Sequence, residues 1–453
     1  MEAQGWIFAT FDFWVEQLIL GGAAVYRCDN WIVLNAALAA AVGWAPMKVL
    51  VLNSGSSSQK SCLYEIGETI PNDPPVCAWE GKVEWVDDQA HYSIKNSSGV
   101  AVKDKASVDS RVEAIKRLLQ TLWGGKTQAI SGPSEIDVVG HRVVHGGPQY
   151  FEPAVVTAEV KSAIKSVSIF APLHNRAELE GMEIVAKLLG PVPQVAVFDT
   201  GFHRTMPLSA KTYPGPYEWF EQGIRRYGFH GINHQYCAER AAQLLGKSLA
   251  SLKLVTCHLG NGCSLAAIRD GKSIDTTMGF TPLEGLMMGT RSGSVDPGIL
   301  TYLMRKRHFL DEQLDDVLNK RSGLLGISGV SSDMREVLAA RKNGNERAGL
   351  ALDIYVHRLQ SGIGAMIGVL GGVDALIFTA GVGENSSEVR ASVCDNFAFL
   401  GLKLDHAKNA QSPADADISA PGSKLPVLVI HAQEDWMIAR ECWNLVRTQA
   451  AVS

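Results

Sequence analysis

KVLVLNSGSSSQKSCLYEIG, residues 48–67, decides how this chain is built. Its centre, GSSSQKS, has the small residues of a phosphate-binding loop. A P-loop of the form G-x-x-x-x-G-K-[ST] needs a glycine immediately before the lysine, and Gln59 takes that place. It also needs a helix directly after the loop, whose N-terminal amides hold the phosphate. The next residues are instead SCLYEIG, in which Cys62, Leu63, Tyr64 and Ile66 make a short strand-like run closed by Gly67. The stretch reads as strand, small-residue turn, strand.

The same plan returns at 253–272 as KLVTCHLGNGCSLAAIRDGK. Each segment runs from a lysine through an apolar strand to a polar residue, Asn53 or His258. A Gly/Ser/Asn turn comes next, then a second strand ending in glycine. Two such hairpins, one early and one mid-chain, predict two related halves built by duplication. Facing each other across a cleft, they would offer backbone N–H groups to a polyphosphate from both sides. Strand-like runs alternate with amphipathic helices around them, which predicts an α/β protein. Helices are expected over 109–123, 176–190 and the long 345–372. Buried strands are expected over 49–53, 135–144, 192–199, 252–260, 373–381 and 426–432.

With 453 residues the chain can bury two or three cores. A net charge of −5 argues against a nucleic-acid or anionic-membrane partner. The eight cysteines show no C-x-x-C spacing, which favours free thiols in a reducing compartment over disulfides or zinc. The first 46 residues include WIVLNAALAAAVGWAP (31–46), an apolar run at the lower limit of a bilayer span. No Lys or Arg precedes Arg27, so the basic region of a signal peptide is missing. We expect residues 1–46 to be an extension outside the fold, Met47 to begin the folded part, and the location to be cytoplasmic without a membrane partner.

Chemistry concentrates in a few places. Arg142 ends a strand-like run in GHRVVHGG, and Arg291 lies in the glycine-flanked GTRSG. Guanidinium forks bind carboxylate and phosphate bidentately and keep their charge. Two of them converging would suit a reaction between a carboxylate and a phosphoryl group, two anions that otherwise repel. His230 in YGFHG and His258 in CHLGNG occupy apolar, glycine-rich settings, where a histidine is more often a hydrogen-bonded core residue than a catalytic one. Asp199 ends the apolar run VAVFD, at the kind of strand end where α/β proteins place reacting groups. Its competing use is a turn cap.

HRVVHGG (141–147), APLHN (171–175), FDTGFH (198–203), YGFHG (227–231), CHLGNG (257–262), TPLEGLMMGTRSG (281–293), SSDMRE (331–336) and FTAGVGENS (378–386) occur in this order. With NSGSSSQKS they resemble the acetate kinase family of acyl-phosphate-forming kinases, over essentially all of the chain from Met47. That resemblance implies the two-domain α/β fold shared with actin, Hsp70 and sugar kinases, with the domains facing across a cleft. It divides the chain into 47–196, with the first hairpin and the acyl-site arginine, and 197–431, which binds nucleotide. Residues 432–453 form a C-terminal helix returning to the first domain. It assigns Arg142 to the carboxylate substrate, Arg291 and His230 to the transferring phosphoryl, and Asp199 to catalysis. Val144, Leu173 and Pro282 would line the acyl pocket. Lys60 and the turn His258, Leu259, Gly260, Asn261, Gly262 would meet the phosphates. Asp333, Met334, Arg335 and the loop Gly381, Val382, Gly383, Glu384, Asn385 would hold adenosine, with Glu384 and Asn385 opening the next helix. Asn53 and Glu434 would hold Mg²⁺, or Mn²⁺ in its place. His174 and His203 receive no role.

The implied reaction converts ATP and acetate to ADP and acetyl phosphate, in a homodimer. Propionate and butyrate differ from acetate by methylenes, each worth about 1–3 kcal/mol in a pocket. A sugar or glycerol kinase on the same fold would need a general base and polar groups for hydroxyls. A non-catalytic Hsp70- or actin-like switch would keep both hairpins yet have no use for paired arginines. Two departures from the family pattern stand out: NSG where NAG is commonest, and GINHQY (231–236) where a GTSH-type run is usual.

Overall fold

Two mostly buried strands along 47–66 form a hairpin. Met47–Ser54 pairs antiparallel with Ser58–Ile66, setting Asn53 opposite Lys60. The computed structural model describes residues 17–20, 23–26, 46–55, 58–86, 89–108, 110–168 and 172–452. Most of the expected 1–46 extension, including nearly all of its apolar run, lies outside the described residues. So do Ser56 and Ser57 of the first turn. Within 1–46 the backbone pair Gln17–Leu20 with Ala23–Tyr26 is antiparallel.

The first sheet has eight strands, in the order Ala101–Ser107, Gln89–Asn96, Trp79–Val86, Ser58–Ile66, Met47–Ser54, Val138–Val143, Gln194–Phe198, Ala154–Val155. The second has six, in the order Lys272–Thr276, Cys263–Arg269, Lys253–Leu259, Ala375–Thr379, Val427–Val429, Ala416–Asp417. Both share one plan. A hairpin is extended by an antiparallel strand on one side, and two parallel strands continue the sheet on the other. The repeat seen in the two lysine-led segments is thus the repeat of the architecture. The fold is α/β with two related halves.

Between the sheets lies a core of Val49, Val51, Leu254, Ile377, Trp436, Met437 and Ile438, to which the helices Gly231–Leu245 and Glu434–Val452 contribute. The latter returns the C-terminus onto Met47–Ser54 and Val138–Val143. The outer face of the second sheet is covered by Glu346–Leu370. Its buried Ala348, Ala351, Leu352, Tyr355, Leu359, Ile363, Met366 and Leu370 recur at three- and four-residue spacing. Each large side chain so removed from water is worth about 1.5–3 kcal/mol. Asn345 caps the start through its side chain, and Gly371 ends the helix at φ 62°, so this boundary falls where the sequence placed it.

Three expectations need correction. The helix expected from 176 begins at Pro172, because the PLHN run is itself helical. The helix expected over 109–123 spans only Arg111–Gln120, capped by Ser110. The glycine turn GVGEN is a short helix, Ala380–Asn385, so Glu384 and Asn385 end this turn and the next helix opens at Ser387. Among the described residues no helix is long and apolar enough to cross a membrane.

Candidate active site

Parallel pairing of Val138–Val143 with Gln194–Phe198 brings Arg142 beside Val197 and the chain end at Asp199 next to it. Arg142 Nη2 donates to Asp199 Oδ2 at 2.7 Å, and its Nε lies 3.9 Å from Glu434 Oε2. Asp199 is fully buried, and the same Oδ2 accepts the His230 backbone N–H at 2.8 Å. Its other oxygen, Oδ1, is buried with no hydrogen-bond partner. Burial pushes the Asp199 carboxyl above its ordinary range, and the Arg142 charge pulls it back. An oxygen of this kind is aimed at something the protein itself does not supply.

His230 adopts a left-handed backbone, φ 57° and ψ 23°, as the cap of Gly231–Leu245. A non-glycine residue there is strained, and such strain gathers at functional sites. Gly231 must be glycine, since a Cβ would stand 2.3 Å from the Asp199 carbonyl oxygen. The imidazole stacks on His258 at 3.9 Å between centroids and 10° between planes. Across the second hairpin turn, a Cβ built on Gly262 would lie 3.4 Å from His230 Nε2 and 3.5 Å from Arg291 Nη2. Arg142, Asp199, His230 and Arg291 therefore form one continuous neighbourhood.

Arg291 Nη1 donates to the Pro282 carbonyl at 2.8 Å. Among the described residues no carboxylate lies within ion-pair distance of it. Burial lowers its pKa, yet a guanidinium starting at 12.5 stays charged. A half-buried cation without a counter-ion is able to take an anion. Its loop is locked by Glu284, which accepts from Arg226 Nη2 at 2.6 Å and from the Tyr213 hydroxyl. The Arg226 Nη1 takes the carbonyls of Thr276, Thr277 and Met278.

The second hairpin turns tightly at Gly260, whose N–H donates to the Gly262 carbonyl at 2.9 Å. Leu259 is buried, while Asn261 lies against Gly289 of the Arg291 loop. A Cβ on Gly260 would approach His258 Nε2 at 3.7 Å and Ala380 at 3.9 Å, so the turn meets the start of the Gly381–Val382–Gly383 segment. Ala380 itself has φ 66°. Glu384, expected at the nucleotide, is occupied within the protein: Oε1 accepts the N–H groups of Ala380 and Ala432, and Oε2 meets His431 Nδ1 at 2.6 Å. The Asn385 side chain donates to the Gly381 carbonyl. Behind them stands Arg390, missed in the sequence. It is fully buried, bonds the carbonyls of Gly383, Glu384 and Asn409, and is pushed down to about 10 by burial. SSEVRASV looks like an ordinary exposed helix start, so nothing marked it.

Asp333 caps the Met334–Lys342 helix and pairs with exposed Arg335, while Met334 is buried. Lys60 is exposed opposite Asn53, and its charge acts on Glu434 and His258. Asn53 Nδ2 donates to Glu434 Oε2 at 3.2 Å and to Asp435 Oδ1 at 2.9 Å. Asp435 was also missed, although it neighbours Glu434 in the first turn of one helix. Among the described residues no cluster of three His, Cys, Asp or Glu side chains is arranged to hold an ion. The orphaned Asp199 Oδ1 with Glu434 and Asn53 is instead a sparse set of hard oxygens. It fits a divalent ion held mostly by phosphate and water.

Val144 is buried and Pro282 half-buried beside Arg291. The Leu173 side chain, like that of His174, lies outside the described residues. Val144 is held by an unforeseen residue, Glu178, whose two oxygens each accept its N–H at 3.1 Å and whose carboxyl burial pushes up to about 8. His203 is buried between Ser273 Oγ and the Phe229 carbonyl, a structural place.

Comparison with known proteins gives a consistent picture. A model described as the acetokinase family matches residues 48–440. The acetate kinase of Cyanothece sp. is 60% identical over 406 residues, covering 89% of this chain and 100% of that relative. The acetate kinase of Nostoc punctiforme is 60% identical over 404 residues, covering 88% and 100%. Among solved structures, an acetate kinase from Porphyromonas gingivalis aligns with a TM-score of 0.80 at 41% identity, covering 88% of this chain and 100% of that one. A propionate kinase from Francisella tularensis aligns with a TM-score of 0.80 at 37% identity, covering 88% and 99%.

Proposed function

The chain belongs to the acetokinase family, and from that membership and the geometry of the cleft we propose that it transfers the γ-phosphoryl group of ATP to acetate. The products are acetyl phosphate and ADP. The observation that carries the reading is Arg291, a half-buried guanidinium without a carboxylate partner among the described residues, beside His230, whose backbone N–H donates to the Asp199 carboxylate of the Arg142–Asp199 pair.

Acetate is ionised at neutral pH, so it arrives as a nucleophile and no general base is needed. Arg142 is the group we assign to its carboxylate. A carboxylate oxygen attacks phosphorus in line as the bond to the β-phosphate oxygen breaks. In the loose transition state charge spreads over the equatorial oxygens, which Arg291 and His230 would meet as preorganised donors. Asp199, with Asn53 and Glu434, would hold Mg²⁺ or Mn²⁺, which neutralises phosphate charge when bound. The two hairpin turns and Lys60 would cradle the phosphates, and Ala380–Asn385 with Asp333 and Arg335 the adenosine. Closure of the halves would exclude water, whose attack is the competing reaction.

Trapping the acyl phosphate with hydroxylamine tests this directly. With ATP and Mg²⁺, kcat/KM is expected to be highest for acetate, lower for propionate and butyrate, and absent for glycerol. A chain that hydrolyses or binds ATP yet yields no hydroxamate from any short acid contradicts the reading.

A homodimer is the second part of the proposal. No residue of the Pro297–Arg307 helix is buried, and Ile299, Tyr302 and Met304 on it are 48, 57 and 48% exposed. Open apolar faces of this kind mark interfaces, and we assign this one to a second copy of the chain. Light scattering after size exclusion should give a dimer, and the double change Ile299→Glu, Tyr302→Glu a monomer. A monomeric parent, or a dimer indifferent to both changes, contradicts the assignment.

A further inference from the structure

Behind the stacked imidazoles of His230 and His258 runs a buried chain of hydrogen bonds. His230 Nδ1 is 2.9 Å from Ser264 Oγ, the same oxygen is 2.7 Å from His234 Nε2, and His234 Nδ1 is 2.7 Å from Thr256 Oγ1. Ser264, His234 and Thr256 are fully buried. Ser264 has one hydroxyl proton for two ring nitrogens, so the chain must run in a single direction when both rings are neutral.

Two directions satisfy that count. In the first, His230 Nδ1–H donates to Ser264, Ser264 to His234 Nε2, and His234 Nδ1–H to Thr256. This leaves the Thr256 hydroxyl proton buried without an acceptor, since among the described residues that hydroxyl meets only His234. A stranded buried donor costs about 1–3 kcal/mol. It would also turn the bare Nε2 lone pair of His230 toward the cleft. In the second, Thr256 donates to His234 Nδ1, His234 Nε2–H to Ser264, and Ser264 to His230 Nδ1. Every proton is used, and His230 carries its remaining proton on Nε2.

The two rings are also held neutral by their surroundings. His230 and His258 are parallel at 3.9 Å, where two cations would repel, and Arg142 and Arg291 add positive charge nearby. His258 is treated in parallel. Asn233, from the departing GINHQY run, donates through Nδ2 to His258 Nδ1 at 2.9 Å and to Thr379 Oγ1 at 3.3 Å. That leaves the His258 proton on Nε2 as well.

We propose that Thr256, His234 and Ser264 form a one-way relay that fixes His230 as the neutral Nε2–H tautomer, a hydrogen-bond donor to the transferring phosphoryl group and not a charge. This rests on the reading that the cleft transfers a phosphoryl group. Ser264 and His234 are positioning residues, since neither reaches the cleft edge of the ring.

Imidazole ¹⁵N NMR on the full chain tests the tautomer without substrate, with the His230 signals assigned by their loss in His230→Gln. The expected spectrum has a protonated Nε2 and a bare Nδ1 on His230 at neutral pH. Ser264→Ala should mix or invert that tautomer and lower kcat about ten- to a hundredfold, with KM for acetate and ATP nearly unchanged. Thr256→Val, close to isosteric, should act in the same direction and serves if the serine variant fails to fold. A charged ring or a protonated Nδ1 in the parent overturns the proposal, as does parental kcat in both variants. Absence of hydroxamate formation by the parent would sink the functional reading while leaving the spectrum to judge the relay.

Discussion

Arg291→Ala lowers kcat for acyl-phosphate formation by about a thousandfold, the scale of an arginine that meets transition-state charge. KM for ATP moves far less, because the nucleotide keeps its hairpin and loop contacts. The reason lies in the surroundings of this guanidinium. It is half-buried, held by the Pro282 carbonyl and close to Gly262, as His230 is, with no carboxylate partner among the described residues. Holding a partly desolvated cation without a counter-ion costs stability that a bound anion would return. The alanine variant should therefore unfold at the same or a higher temperature than the parent. Arg291→Lys keeps the charge but loses the planar fork and should recover only a minor part of the rate. Thermal denaturation beside hydroxamate kinetics reads both. A variant that loses activity only in proportion to lost stability would make Arg291 a structural residue.

Arg142→Ala should behave in the opposite way on stability. Asp199 is fully buried and Arg142 is its charge partner at 2.7 Å. Removing one member of a buried pair leaves an uncompensated charge and costs about 3–5 kcal/mol. KM for acetate should rise about ten- to a hundredfold from the lost charge-assisted hydrogen bonds, with kcat also reduced. The pH dependence has a defined sign. Burial already raises the Asp199 pKa, and losing Arg142 raises it further above the unfolded value. The deficit is full above the folded pKa and shrinks as pH falls through it, where the carboxyl binds a proton. Adding Asp199→Asn to Arg142→Ala should restore much of the stability and none of the activity. Urea denaturation at several pH values checks this; a deficit that grows toward acid contradicts the buried-pair account.

The architecture was largely legible because the duplication is written in local pattern. Lys48–Gly67 and Lys253–Lys272 carry their strand periodicity, turn glycines and polar cleft residues within twenty-residue windows. The arginines and His230 were legible from their glycine-rich settings, and Gly231 is required there by its close approach to the Asp199 carbonyl. Boundaries set by tertiary contact were less so, as the helical PLHN and GVGEN runs show. The supporting residues were hidden for a different reason. Glu178 and Arg390 sit in segments that read as solvent-facing helix, and only long-range packing buries them. Asp435 was one position from an assigned residue. His234 and Ser264 did leave a trace: His234 lies four residues after His230 on one helix face, and Ser264 stands across the ladder from His258.

All of this presumes that Arg142 and Arg291 serve one crevice and one event. The most direct measurement is a double-mutant cycle on kcat/KM for acetate, using Arg142→Ala, Arg291→Ala and the pair. Residues acting together on a single transition state lose less in combination than the product of their separate losses, because either deletion already scatters the reactants. We predict a combined loss far below that product. Losses that simply multiply, as they do for distant independent positions, would mean that the two guanidinium groups attend different anions.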